Sequence, residues 1–250
     1  MMMNNRALQL IKVSRSFGSV EVLRELSLDI LRGEFVAVVG PSGCGKTTLL
    51  NLLSGYDQPS SGLISCEGRV RMVYQQDGLF PWLTVAENIA LGLRHLNNEK
   101  ERVRQVSEMV SLIRLKGFEQ HYPHQLSGGM RQRVELARAL AGDSDILLMD
   151  EPFSALDYLT RLRMRLELAR LLQERPRTVA LVTHDIEEAA QLADRVVVLS
   201  ERPAQINYEV SIAAPRPRDL TRPEVVNATR RILTKLGFEH EAKSAISYRM

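Results

Sequence analysis

Three short stretches hold residue types at spacings that could handle a phosphate. The first is Gly40-Pro41-Ser42-Gly43-Cys44-Gly45-Lys46-Thr47-Thr48. It has the pattern G-x-x-x-x-G-K-[ST]. Its glycines let the backbone wrap an anion and turn N–H groups toward it at the start of a helix. Lys46 can reach the β- and γ-phosphates of a nucleotide, and the Thr47 hydroxyl can ligate Mg²⁺. The second is Asp150-Glu151, two adjacent carboxylates at the end of the apolar run Ile146-Leu147-Leu148-Met149. In such a pair one charge can be committed to a metal while the other does proton work. The third is Ser127-Gly128-Gly129, where a serine N-cap precedes two glycines that leave the first helical N–H groups open. It is either a second anion site or an ordinary cap with a flexible turn. Met130 stands at N3, so no side chain reaches back to complete a capping box.

Elements of alternating type must position these stretches. Glu34-Phe35-Val36-Ala37-Val38-Val39 reads as a buried strand leading into the phosphate loop, and Leu49-Leu50-Asn51-Leu52-Leu53 as helix. Before it, Leu8, Leu10 and Val13 mark one strand, and Leu26, Leu28 and Ile30 mark a half-exposed antiparallel one. Strands are expected at residues 63–65 and 70–74. Thr84-Val85-Ala86-Glu87 matches a capping box and starts a helical stretch that runs to about residue 140. Within it, residues 99–115 place Val103, Val106, Val110 and Ile113 at helical spacings. Further strands are expected at 146–149, 178–183 and 195–199. A helix covers 161–172 and another starts at Asp185. Strands alternating with helices imply a mostly parallel sheet covered on both faces. The phosphate loop, Asp150, Glu151 and His184 all follow the carboxyl ends of strands, where such sheets bind ligands.

The chain has 250 residues, enough for one large domain or one with a lobe, and a net charge of only +3. That charge is mixed and shows no basic tail, so no nucleic-acid partner is expected. Of the two cysteines, Cys44 lies inside the phosphate loop, which argues against a structural disulfide and for a reducing cytosol. No apolar run approaches the roughly 18 residues that a membrane span needs. The protein is expected to be soluble or held at a membrane by another protein.

Leu126-Ser127-Gly128-Gly129-Met130-Arg131-Gln132-Arg133, taken with the phosphate loop and the run ending in Asp150-Glu151, resembles the nucleotide-binding subunit of ATP-binding cassette (ABC) transporters. The resemblance covers residues 8–199, with the motifs in the family's order. It implies an α/β fold: a P-loop NTPase with a mostly parallel core sheet, an N-terminal antiparallel β subdomain and an inserted helical lobe. The implied division is an ATPase domain over residues 6–202, with the lobe at about 84–140, and a short tail over 203–250. It implies ATP and Mg²⁺, with Gly40 to Thr48 holding the phosphates and Lys46 neutralising them. Thr47 and Asp150 are matched to Mg²⁺, Glu151 to the general base and His184 to a switch on the γ-phosphate. Gln75 is matched to the glutamine that senses Mg²⁺, with Gln76 as the neighbouring alternative. Phe17 fills the adenine-stacking place, although core packing explains a lone Phe equally well. Ser127, Gly128 and Gly129 are matched to a contact with ATP held by a second subunit, so that two ATP molecules lie in a head-to-tail dimer.

The resemblance also implies a transmembrane permease, a secreted binding protein, and a cytoplasmic place on the inner face of the membrane. Phe80-Pro81-Trp82 falls where the family receives a coupling helix; buried, these residues would simply be core. With the wording of Leu126 to Arg133, Leu79-Phe80-Pro81-Trp82 and Pro215-Arg216-Pro217-Arg218-Asp219 resemble the nitrate, sulfonate and taurine importer subfamily. The second stretch is otherwise a polar turn with surface arginines. A loop common in that subfamily is missing between Ser65 and Arg71. The alternatives are an exporter cassette, a DNA-repair ATPase, which would need long heptad arms, and a translation factor, which would carry two cassettes.

Overall fold

Phe35 to Val39 are five consecutive side chains with no exposure, as a strand covered on both faces requires. They form β3 (Phe35–Val39) of the computed structural model, which describes residues 5–75 and 78–238. It is preceded by β1 (Arg6–Phe17) and β2 (Val20–Leu31), and followed by α1 (Lys46–Leu53), β4 (Ser61–Cys66) and β5 (Val70–Val73). Then come α2 (Val85–Ala90), α3 (Glu99–Leu112), α4 (Gly128–Ala141) and β6 (Ile146–Asp150). The chain continues through α5 (Tyr158–Glu174), β7 (Thr178–Val182), α6 (Ile186–Leu192), β8 (Arg195–Leu199), β9 (Ile206–Ser211) and α7 (Pro223–Lys235).

The chain divides into two compact units, one formed by Met1–Gly68 with Ala169–Met250 and the other by Arg69–Leu168. In the first, β2, β1 and β4 make an antiparallel sheet. Beside it, β3 pairs in parallel with both β7 and β8, and β9 adds an antiparallel edge to β8. Helix α1 packs on β7, α6 on β3, and α7 on α6 and β9. In the second unit β5 and β6 pair in parallel, and α2, α3 and α4 pack on one another, with α4 also against β5. Each fully buried Val, Leu or Ile in these layers contributes about 1.5–3 kcal/mol.

The expected capping box forms: Thr84 accepts from the Glu87 N–H and the Glu87 carboxylate accepts from the Thr84 N–H. Several expectations need correction. Helix α3 stops at Leu112 rather than residue 115, because Arg114 takes φ +55°. The Arg114 N–H donates to Ser111 O and the Leu115 N–H to Val110 O, which closes the helix as a glycine would. Val103 is 63% exposed, so it lies off the buried stripe formed by Met109 and Val110. Helix α5 starts earlier and ends later than expected. Strand β9 was not anticipated at all. Residues 215–219 are not a surface turn throughout. Arg218 is buried and donates to the carbonyls of Ala214 (2.7 Å) and Ala193 (2.6 Å), and to Asp194 at 3.3 Å. Among the described residues no helix is long and apolar enough to cross a membrane.

Candidate active site

In the first unit the parallel neighbours β3 and β7 end side by side, and each carboxyl end delivers a candidate group. From β3 the chain enters the loop of Gly40, Pro41, Ser42, Gly43, Cys44 and Gly45. Gly43 and Gly45 take φ +73° and +119°, a region that side chains resist. At Gly45 there is a second constraint: a Cβ would stand 2.7 Å from the Val22 side chain. Lys46 opens α1, and its ammonium donates to the Gly40 and Pro41 carbonyls, both at 2.9 Å. The charge thus sits over the loop whose N–H groups would meet a phosphate. Thr47 is exposed and Thr48 half-buried beside it. The Cys44 thiol is buried, and burial raises its pKa, with the Lys46 ammonium opposing the shift. The Arg202 guanidinium donates to the Gly43 carbonyl. Its position after β8 gave no sequence signal for a role at this loop.

After β7, His184 is exposed. The next residue, Asp185, caps α6 by accepting from the Glu188 N–H at 2.9 Å. Phe17 ends β1 and is 49% exposed, with the Arg15 guanidinium 4.3 Å from its ring centre. It is therefore not core. Arg15 in turn pairs with Asp57 at 2.7 Å.

In the second unit the parallel neighbours β5 and β6 likewise end together, bringing Gln75 to Glu151. The Gln75 amide donates to the Glu151 carboxylate at 3.2 Å. Gln76, the alternative to Gln75, lies outside the described residues. Asp150 is buried and Glu151 partly buried, with φ +48° at Glu151. The Gln132 amide, from α4, donates to the Glu151 carbonyl at 3.0 Å and accepts from the Ala155 N–H at 3.0 Å. The Ser154 hydroxyl also donates to that carbonyl at 3.0 Å. Gln132 belongs to the stretch already singled out, but nothing in its type or spacing announced this link.

Ser127 caps α4, its hydroxyl accepting from the Met130 N–H at 3.3 Å. Ser127 and Gly128 are exposed, so the helix start is open to solvent. A Cβ at Gly129 would come 3.0 Å from the Ala155 carbonyl, which ties this turn to the loop after Glu151. The Phe80 and Trp82 rings meet at a tilt of 55°, their centres 5.3 Å apart, and are 41% and 69% exposed. The buried Asn88 shapes their turn: it accepts from the Phe80 N–H and donates to the Leu83 and Thr84 carbonyls.

A family model described as ABC transporter matches residues 23–154. The chain belongs to the ABC transporter family. Among relatives of this cassette is an aliphatic sulfonates import ATP-binding protein of Agrobacterium fabrum, 42% identical over 226 residues, covering 90% of this chain and 81% of that protein. A nitrate import ATP-binding protein of Synechococcus elongatus is 46% identical over 213 residues, 80% of this chain and 32% of that longer protein. A solved dimeric cassette in a post-hydrolysis state, bound to ADP and Pi, superposes with a TM-score of 0.74 at 32% identity, covering 83% of this chain and 99% of that one. The cassette is thus an ATP-binding subunit and an ATPase with the P-loop NTPase fold.

Proposed function

We propose that the cassette drives import of a small oxyanion, of the nitrate, sulfonate or taurine kind. Two copies close head-to-tail on two ATP molecules and move a membrane permease at the cytoplasmic face. The observation that carries this reading is the open start of α4, where Ser127 and Gly128 face solvent with helix N–H groups available to an anion. The names of the sulfonate and nitrate relatives support the substrate class. The exposed, tilted pair of Phe80 and Trp82 suits a docking place for the permease.

The proposed chemistry is phosphoryl transfer to water. The phosphate loop and Lys46 hold the β- and γ-phosphates, and Phe17 offers its exposed ring to adenine. Glu151 takes the proton of the attacking water, and Gln75 keeps its carboxylate in place through the 3.2 Å hydrogen bond. His184 contacts the γ-phosphate. The donors present fit Mg²⁺: the Thr47 hydroxyl, the Asp150 carboxylate and the Gln75 amide oxygen are hard oxygens. Too few for a full shell, they suit an ion that keeps waters and phosphate oxygens. When bound, Mg²⁺ supplies neutralisation of phosphate charge. Residues 6–202 would make the ATPase domain, with residues 84–140 as its lobe.

Reconstitution in liposomes with a permease and binding protein encoded beside it tests the reading. ATP hydrolysis should rise several-fold when the binding protein carries a sulfonate or nitrate. Stimulation by neither anion, or by the permease without any binding protein, contradicts the importer assignment.

A further inference from the structure

Helix α4 carries two buried polar side chains three residues apart, Gln132 and Glu135, at 4% and 1% exposure. That spacing puts them on one face. Gln132 grips the Glu151 side through the Glu151 carbonyl and the Ala155 N–H. Glu135 grips the other side. Its two carboxylate oxygens accept from the Tyr74 N–H at 3.4 Å and the Gly78 N–H at 3.0 Å. Tyr74 immediately precedes Gln75, whose amide meets Glu151. One helix therefore holds, through backbone groups, the chain next to each partner of the Gln75–Glu151 hydrogen bond.

A carboxylate only accepts, and backbone N–H groups are the donors it needs when taken out of water. An apolar residue at 135 would pack α4 without that desolvation cost but would leave both N–H groups without this acceptor. One turn further on, Arg138 stands 3.9 Å from Glu135 and its guanidinium 5.8 Å from the Phe80 ring. Burial lowers the Arg138 pKa, and Glu135 opposes the shift.

We propose that Glu135 is a positioning residue for ATP hydrolysis. It fixes the backbone at Tyr74 and Gly78 so that the Gln75 amide reaches the Glu151 carboxylate, and Gln132 is its counterpart on the Glu151 side. This rests on the reading of Glu151 as the base.

A double-mutant cycle on the full chain tests it, with steady-state ATP hydrolysis as the readout. Glu135→Gln replaces one acceptor oxygen by an NH₂ group that cannot accept. It should lower kcat about tenfold while KM for ATP stays within about twofold. Gln75→Ala should lower kcat by a similar factor, and the double variant should be no slower than Gln75→Ala alone. Glu135→Asp, which keeps the charge but shortens the reach, should show the same non-additivity. Multiplicative losses in either cycle, a wild-type kcat in Glu135→Gln, or a change confined to KM would overturn the assignment. Glu151→Gln is run in parallel. If it retains turnover, the base reading fails by itself, while the coupling between positions 135 and 75 is still read from the cycle.

Discussion

Glu151 holds φ +48°, a backbone region that costs a non-glycine residue about 1–2 kcal/mol. Its carbonyl is held there by the Gln132 amide and the Ser154 hydroxyl, and its carboxylate by Gln75. A side chain fixed from both ends suits proton transfer, which depends on position before basicity. Glu151→Gln should therefore lower kcat by about 10²–10⁴-fold while nucleotide affinity is kept, measured by phosphate release and by titration with a fluorescent ATP analogue. Turnover near wild type would remove Glu151 from the chemistry. The thiols make a second residue-scale prediction. Cys66 is exposed and Cys44 buried; burial raises the pKa of both thiols, so access is what separates them. In the native protein one thiol should react quickly with a disulfide reagent, and Cys66→Ser should abolish that fast phase. The places of Lys46, Thr47, Asp150 and Glu151 at the carboxyl ends of β3 and β6 were legible in the sequence, because a glycine-rich loop and an apolar run mark them. Glu135 was not, because a lone Glu on an amphipathic helix looks the same whether it meets water or two backbone N–H groups.

Helices and strands were legible where burial or a cap left a periodic mark. Strands β3, β6 and β7 are apolar runs buried along their length, and α2 carries its capping box in its wording. Strand β9 escaped because Asn207, Tyr208 and Glu209 face solvent on a sheet edge and leave no clear apolar rhythm. The end of α3 escaped because an arginine takes the left-handed position that sequence reasoning reserves for glycine. Arg218 is the instructive case among elements. Its guanidinium donates to the Ala193 carbonyl just past α6, to the Ala214 carbonyl, and to Asp194, whose other oxygen accepts from the Phe35 N–H at the start of β3. One buried cation thereby joins the end of α6 to the strand that feeds the phosphate loop. Arg218→Ala should lower stability by about 3 kcal/mol, since it leaves the buried carbonyls of Ala193 and Ala214 without this donor, while Asp194 keeps Arg216 at 3.2 Å. Arg218→Lys should recover only part, because an ammonium cannot span the same acceptors. Urea unfolding of the three proteins checks this, and equal midpoints would contradict it.

At the scale of the whole molecule, the two units repeat one arrangement. Each ends a pair of neighbouring parallel strands at residues proposed for the chemistry: the Gly40–Gly45 loop and His184 in one, Gln75 with Asp150-Glu151 in the other. The fold class was legible because alternating strands and helices admit few layer arrangements. The solute was not, because no side chain described in this chain is assigned to hold it. In the proposed dimer the open start of α4 completes a nucleotide site on a second copy. Light scattering of Glu151→Gln with MgATP tests it most directly. A species of twice the 28.2 kDa protomer mass should form with ATP, and the protomer alone should be seen without it. Adding Ser127→Arg to Glu151→Gln should abolish the larger species while ATP still binds. A protein that binds ATP yet stays at 28.2 kDa, or a dimer indifferent to Ser127→Arg, would contradict this arrangement.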